Sequence, residues 1–155
     1  MQFNRREFVI ISGAAAAAAW VRIDPLATTA CAAAAPPPTG PVDVGTAVDY
    51  ANDGAFDKFA RSNRVMLVRK GDRLYATTAT CTHKDCVVKH VQGEIRCPCH
   101  GSRFDLDGDV TKGPAKSPLA RLAIAQNAAG RIVVDPSQKF GPGQWDDPKC
   151  FVKLQ

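Results

Sequence analysis

Residues 81–86 read CTHKDC and residues 97–102 read CPCHGS, so four of the chain's six cysteines and two of its three histidines sit in two short runs. Thiolates and imidazoles together select zinc or iron–sulfur centres over the hard, oxygen-loving cations. A zinc site needs four of these donors, and its usual spacing sets cysteines two to four residues apart and histidines three to five apart. The runs depart from that pattern: Cys81 is followed by His83 after one residue, and Cys97 by Cys99 and then directly by His100.

Strands must position these runs. Segments of strand character lie at Val42–Val44, Val65–Arg69, Leu74–Ala79, Leu119–Ala125 and Ile132–Asp135, punctuated by turns at Gly71-Asp72, Asp107-Gly108 and Ala129-Gly130. The strongest hairpin signal is Asp107-Gly108 between Phe104-Asp105-Leu106 and Val110, because glycine accepts the positive φ of a tight hairpin. Only Asp53–Ala60 has helical character, and weakly. The pattern predicts an all-β antiparallel sandwich or small barrel of about a hundred residues, without internal repeats.

The boxes C-x-H and C-P-C-H-G-S resemble those of the Rieske [2Fe–2S] proteins, and the resemblance extends over most of the chain beyond residue 41. It implies a Rieske-like β fold with a small cluster-binding subdomain and one [2Fe–2S] cluster per chain. Carried over position by position, Cys81 and Cys97 hold one iron, His83 and His100 hold the other, and Cys86 pairs with Cys99 in a disulfide. Two ferric ions, two sulfides and two thiolates sum to zero charge, whereas four thiolates leave the oxidised cluster at minus two. Adding an electron to the neutral form is easier, which places such centres at roughly −150 to +300 mV. In the quinol-oxidising members the histidine corresponding to His100 contacts quinol, and electron and proton leave together.

The same resemblance assigns Ser102 as a donor to a bridging sulfide. High-potential members carry a tyrosine two positions later that reaches a cysteine sulfur; here Phe104 stands there, so one donor is lost and a lower potential is expected, although Phe104 also suits the core. Lys84-Asp85 replaces the family's Leu-Gly, which covers the cluster and faces the quinol pocket, and this puts a standard docking in question. Gly113-Pro114-Ala115 resembles the loop that shields the cluster's third side. His90 is expected on an exposed turn and not as a ligand. Cys150 has no evident partner: a buried free thiol, an intermolecular bridge and an unpaired residue are all open.

At the N-terminus Asn4-Arg5-Arg6-Glu7-Phe8 precedes an apolar run, Phe8–Val21, and then small residues around Ala27–Ala35. Twin arginines before a short apolar stretch resemble a Tat export signal. The run is shorter than the roughly 20 apolar residues that cross a bilayer. Residues 1–30 are expected to be a signal or N-terminal anchor, 31–41 an Ala/Pro-rich tether, and 42–155 the folded domain, placed in the periplasm or on the outer face of the cytoplasmic membrane. Export permits a disulfide. Cys31 is not expected to carry lipid, since Thr28 and Thr29 occupy the place of a larger aliphatic residue. The formal net charge of +5 is spread along the chain without an aromatic-interleaved basic run, so nucleic acid is not an expected partner.

The function expected is electron transfer as the iron–sulfur subunit of a quinol-oxidising, cytochrome bc-like complex, with cytochrome b- or c-type partners, quinol, and membrane association through the complex or the N-terminal anchor. Alternatives are the small Rieske subunit of a periplasmic molybdenum oxidase such as arsenite oxidase, a stand-alone exported carrier, and, remotely, a non-redox zinc module. A ring-hydroxylating oxygenase needs a second iron on two histidines and a carboxylate, and only His90 is left over. The chain is thus expected to be an electron-transfer subunit of an oxidoreductase and not an enzyme alone.

Overall fold

The computed structural model describes residues 40–154; the expected leader, Cys31 and nearly all of the tether lie outside them. The first strands are β1 (Val42–Thr46), β2 (Gly54–Phe56), β3 (Val65–Lys70) and β4 (Arg73–Thr78), with a helical turn α1 (Ala60–Asn63) between β2 and β3; β3 and β4 are buried over most of their length. Four short strands follow, β5 (Lys89–Val91), β6 (Glu94–Arg96), β7 (Arg103–Phe104) and β8 (Val110–Lys112). Then come β9 (Arg121–Gln126), β10 (Arg131–Phe140) and β11 (Val152–Lys153).

All pairings are antiparallel and form two sheets among the described residues. The larger runs β1-β10-β9-β4-β3-β2, with β11 also on β4; the smaller runs β5-β6-β7-β8. The smaller sheet is an excursion between β4 and β9, and its two ends meet where Thr77 pairs with Arg121 and the Thr78 amide donates to Ala120 O at 2.9 Å. Strand β3 serves two cores, because successive side chains point to opposite faces. Val65 and Leu67 join Leu74, Leu122, Ile132 and Val134 within the large sheet, while Met66 joins Val88, Ile95, Phe104 and Leu119 beneath the small one.

The five strand segments expected from the sequence correspond to β1, β3, β4, β9 and β10, and the Asp107-Gly108 turn joins β7 to β8. A Cβ on Gly108, at φ +98°, would stand 3.2 Å from Leu119 O, so the turn needs glycine both for its backbone angle and for space. The helix expected at Asp53–Ala60 is a correction. Gly54 takes φ +138°, which only glycine adopts readily, and Ala55 and Phe56 pair with Val68 and Leu67 as an edge strand. Helix starts only at Ala60 and stops at Arg64, φ +58°. His90 is a second correction: it lies in β5 opposite Ile95, and the turn is Gln92-Gly93, both at positive φ. That is the geometry of a type I′ hairpin, here with glutamine where asparagine gives the usual signal.

Candidate metal centre

Each run rich in cysteine and histidine is folded into a loop closed by its own backbone. In the first, the Cys81 amide donates to Cys86 O at 2.8 Å and the Asp85 amide to Cys81 O at 3.0 Å. In the second, the Cys97 amide donates to Ser102 O at 2.8 Å and the Gly101 amide to Cys97 O at 3.1 Å. The two loops repeat one pattern: cysteine first, a residue at positive φ four positions on (Asp85 at +52°, Gly101 at +75°), and closure at the fifth. The first leads into β5 and the second joins β6 to β7, so the small sheet presents both at one end.

Cross-links hold the loops together. Cys86 and Cys99 form a disulfide. Arg64 Nη1 donates to Asp85 O at 3.0 Å, and Thr82 Oγ1 donates to Ser117 O at 2.6 Å. The segment after Gly113-Pro114 closes the third side: the Ala115 amide donates to Ser102 Oγ at 3.0 Å, with both residues buried.

Within this clamp lie two free thiols, Cys81 and Cys97, both buried. Burial chiefly pushes the Cys81 thiol up; the neighbouring His83 amide and Ser102 hydroxyl pull it down, and the adjoining Cys97 thiol pushes it up again. A thiolate is costly on this apolar floor of Ile95, Phe104 and Leu119, and a bound cation would supply the charge that offsets that cost. The Sγ atoms of Cys86, Cys97 and Cys99 lie within 4.8 Å of one another. Cys86 and Cys99 are committed to their shared bond, so Cys97 alone of that trio has a thiol to offer.

The rings of His83 and His100 stand edge to face, centroids 4.9 Å apart. His83 Nδ1 is buried and has no hydrogen-bond partner, an arrangement that is unfavourable for a ring nitrogen unless something else takes its lone pair or proton. His100 is exposed at the tip. Two buried thiols, an orphaned ring nitrogen and a second imidazole suit a mixed nitrogen–sulfur metal centre. His90 stands apart: its Nε2 accepts from the Gly93 amide at 3.2 Å in the hairpin turn. Phe104 is fully buried, as its core role requires, and Cys150 is a buried free thiol in contact with Gln144 O at 3.3 Å. Sequence reasoning missed the Ala115 and Thr82 bonds, which depend on where the 113–117 segment folds back.

Residues 40–124 match the Rieske [2Fe–2S] domain family, and the chain belongs to it. Its cofactor is a [2Fe–2S] cluster and its activity is electron transfer. Cytochrome b6-f complex iron-sulfur subunit 1 of Trichormus variabilis is 36% identical over 122 residues, covering 65% of this chain and 68% of that one. The subunit of the same name from Nostoc sp. is 35% identical over 120 residues, covering 64% and 66%. Among solved structures, the plasma membrane Rieske protein PetC3 from Synechocystis PCC 6803 is similar at 30% identity over 60% of this chain and 97% of that one, with a TM-score of 0.47.

Proposed function

We propose that Cys81 and Cys97 bind one iron of the cluster and His83 and His100 the other, and that the chain works as the iron–sulfur subunit of a quinol-oxidising, cytochrome bc-like complex. The observation that carries the ligand assignment is the donor set itself: two buried free thiols and an unpartnered His83 Nδ1 brought together by disulfide-clamped loops. The similarity to cytochrome b6-f iron-sulfur subunits supports the place in a complex. When bound, the cluster supplies a one-electron couple raised in potential by its neutral imidazole ligands.

The protein's part is to hold, shield and expose. Met66, Val88, Ile95, Phe104 and Leu119 exclude water from beneath. Ser102, fixed by the Ala115 amide, keeps a hydroxyl beside Cys81, where a donor would favour the more negative, reduced state. His100 at the exposed tip is the ligand from which an electron leaves or arrives, and the surface beside it meets the partner. In this reading residues 1–30 direct Tat export or anchor the chain, and the domain works on the outer face of the membrane.

One observation favours a second reading. Lys84 and Asp85, both exposed next to His83, make the tip charged where a quinol pocket calls for apolar cover. A subunit of a periplasmic oxidase or an exported carrier tolerates such a tip. The test is to purify the full chain from membranes and titrate it by redox-monitored EPR. A Rieske-type signal together with a co-purifying cytochrome b supports the first reading; the signal with a molybdenum subunit, or alone, supports the second. A colourless protein binding one zinc refutes both. A His83→Cys or His100→Cys variant that keeps the wild-type EPR signal refutes the ligand assignment.

A further inference from the structure

The small sheet has two unlike faces. Ile95 and Phe104 are directly opposite each other across β6 and β7, both fully buried on the inner face. Because side chains alternate, their neighbours Arg96 and Arg103 stand on the outer face. The register extends that line to both edges: Lys89 is opposite Arg96, Arg96 opposite Arg103, and Arg103 opposite Lys112. Four cations thus cross all four strands in one row, over about 14 Å at ordinary strand spacing.

Like charges directly opposite one another destabilise an antiparallel pair, and this sheet contains three such pairs in succession. A single carboxylate answers them. Glu94 Oε2 lies 3.0 Å from Arg96 Nε and 3.5 Å from Arg103 Nη1. Lys89 and Lys112, exposed at the two edges, form no ion pair among the described residues. The row borders an open hollow of about 360 Å³ whose other wall is the second ligand loop at Cys97, Pro98 and Gly101.

We propose that this row is a docking surface for an acidic face of the redox partner protein, seating the partner beside the Cys97 loop; this rests on the reading of the chain as an electron carrier. The length of the row argues for several carboxylates and against one phosphate. Its chemistry is already displayed by Glu94, a carboxylate held between two guanidinium groups. The concavity beside the loop suits a protruding acidic segment better than a flat lipid surface.

The test uses the full chain with its cluster loaded, fluorescein-labelled octaglutamate as the probe, and anisotropy at low salt. Wild type is expected to bind it with an affinity that falls steeply as salt rises. Lys89→Gln/Lys112→Gln, at exposed edge positions, should weaken binding about tenfold and flatten the salt dependence, with the EPR signal unchanged. In stopped flow, one electron passes from the reduced protein to ferricyanide, giving ferrocyanide. The variant should slow that reaction several-fold and leave oxidation by the cationic tris(phenanthroline)cobalt(III) equal or faster. Unchanged octaglutamate affinity in the variant overturns the proposal. So does tighter, variant-sensitive binding to phosphatidylglycerol vesicles, or displacement of the peptide by equimolar inorganic phosphate. A wild-type chain lacking the Rieske signal removes the electron-carrier reading, while the anisotropy still reports on the row.

Discussion

The Cys86–Cys99 bridge is the covalent clamp between the two loops rich in cysteine and histidine, and breaking it gives a quantitative test of that role. The bridged residues are 13 apart in sequence, and the intervening chain is the β5–β6 hairpin. Cross-linking a loop of this length removes about 10 cal/mol/K of entropy from the unfolded chain, or about 3 kcal/mol at 25 °C. Cys86→Ser/Cys99→Ser should therefore lose about 3 kcal/mol, a fall of about 10–15 °C in melting temperature for a domain of this size. Because the bridge spans the loops and not the large sheet, the loss should also appear locally: the visible absorbance of the cluster should decay several-fold faster than in wild type at a temperature where both are folded. Circular dichroism and absorbance in the same melt separate the two effects. Cys150→Ser is the control, since that thiol is buried against Gln144 O away from the loops; it should cost about 1 kcal/mol and leave cluster decay untouched. If the double variant melts with wild type and keeps its cluster as long, the loops are held by their own hydrogen bonds and the clamp argument is wrong.

Four further outcomes follow from the same geometry. Phe104→Tyr adds a hydroxyl among the buried residues around Cys81 and Cys97; a donor that favours the reduced state tenfold raises the midpoint by about 59 mV, and no upward shift in an EPR titration refutes the role given to this position. Asp85→Gly places glycine at φ +52°, and urea unfolding should show a gain of about 0.5–1 kcal/mol; a loss would mean that the Asp85 side chain contributes more than its backbone angle costs. Ser102→Ala removes both the acceptor of the Ala115 amide and the hydroxyl beside Cys81, so the potential should fall and hydrogen exchange at Ala115 should accelerate. Lys70 chiefly, with Tyr75 and Arg121, holds the Asp107 carboxyl below its ordinary range. Its stabilising contribution is complete above the unfolded value near 4 and is lost as pH falls through the lower folded value; Asp107→Asn should flatten the acid limb of the stability curve in that window.

How much of this was legible depended on whether the signal was local. The two boxes are contiguous, so their resemblance to the Rieske boxes was visible and implied the donors, and the apolar segment Val65–Arg69, ahead of the Gly71-Asp72 turn, disclosed its strand. The weak helix at Asp53–Ala60 failed because Gly54's backbone angle and the pairing with β3 outweighed local propensity. The strands β5 and β6 are three residues each, too short for alternation to register, and their turn uses Gln92. The basic row was invisible for a different reason. Lys89, Arg96, Arg103 and Lys112 are scattered in sequence and become one line only through the strand register. Asp85 could be noted as a departure from the family's glycine, but only the fold shows that it occupies the position Gly101 holds in the other loop.

The meeting of the excursion's two ends at Thr77 and Arg121 has a consequence for engineering and for evolution alike. A segment that leaves and rejoins a scaffold at neighbouring strands closes like an ordinary hairpin, whatever its internal length, since closure entropy grows only slowly with the number of residues. The excursion is transplantable only together with its floor: another antiparallel sheet that receives residues 79–120 must also supply the contacts made by Met66 and Arg64, which lie outside that segment. Conversely, the large sheet is free to drift in sequence or acquire insertions on its far side without disturbing the geometry from which the electron departs.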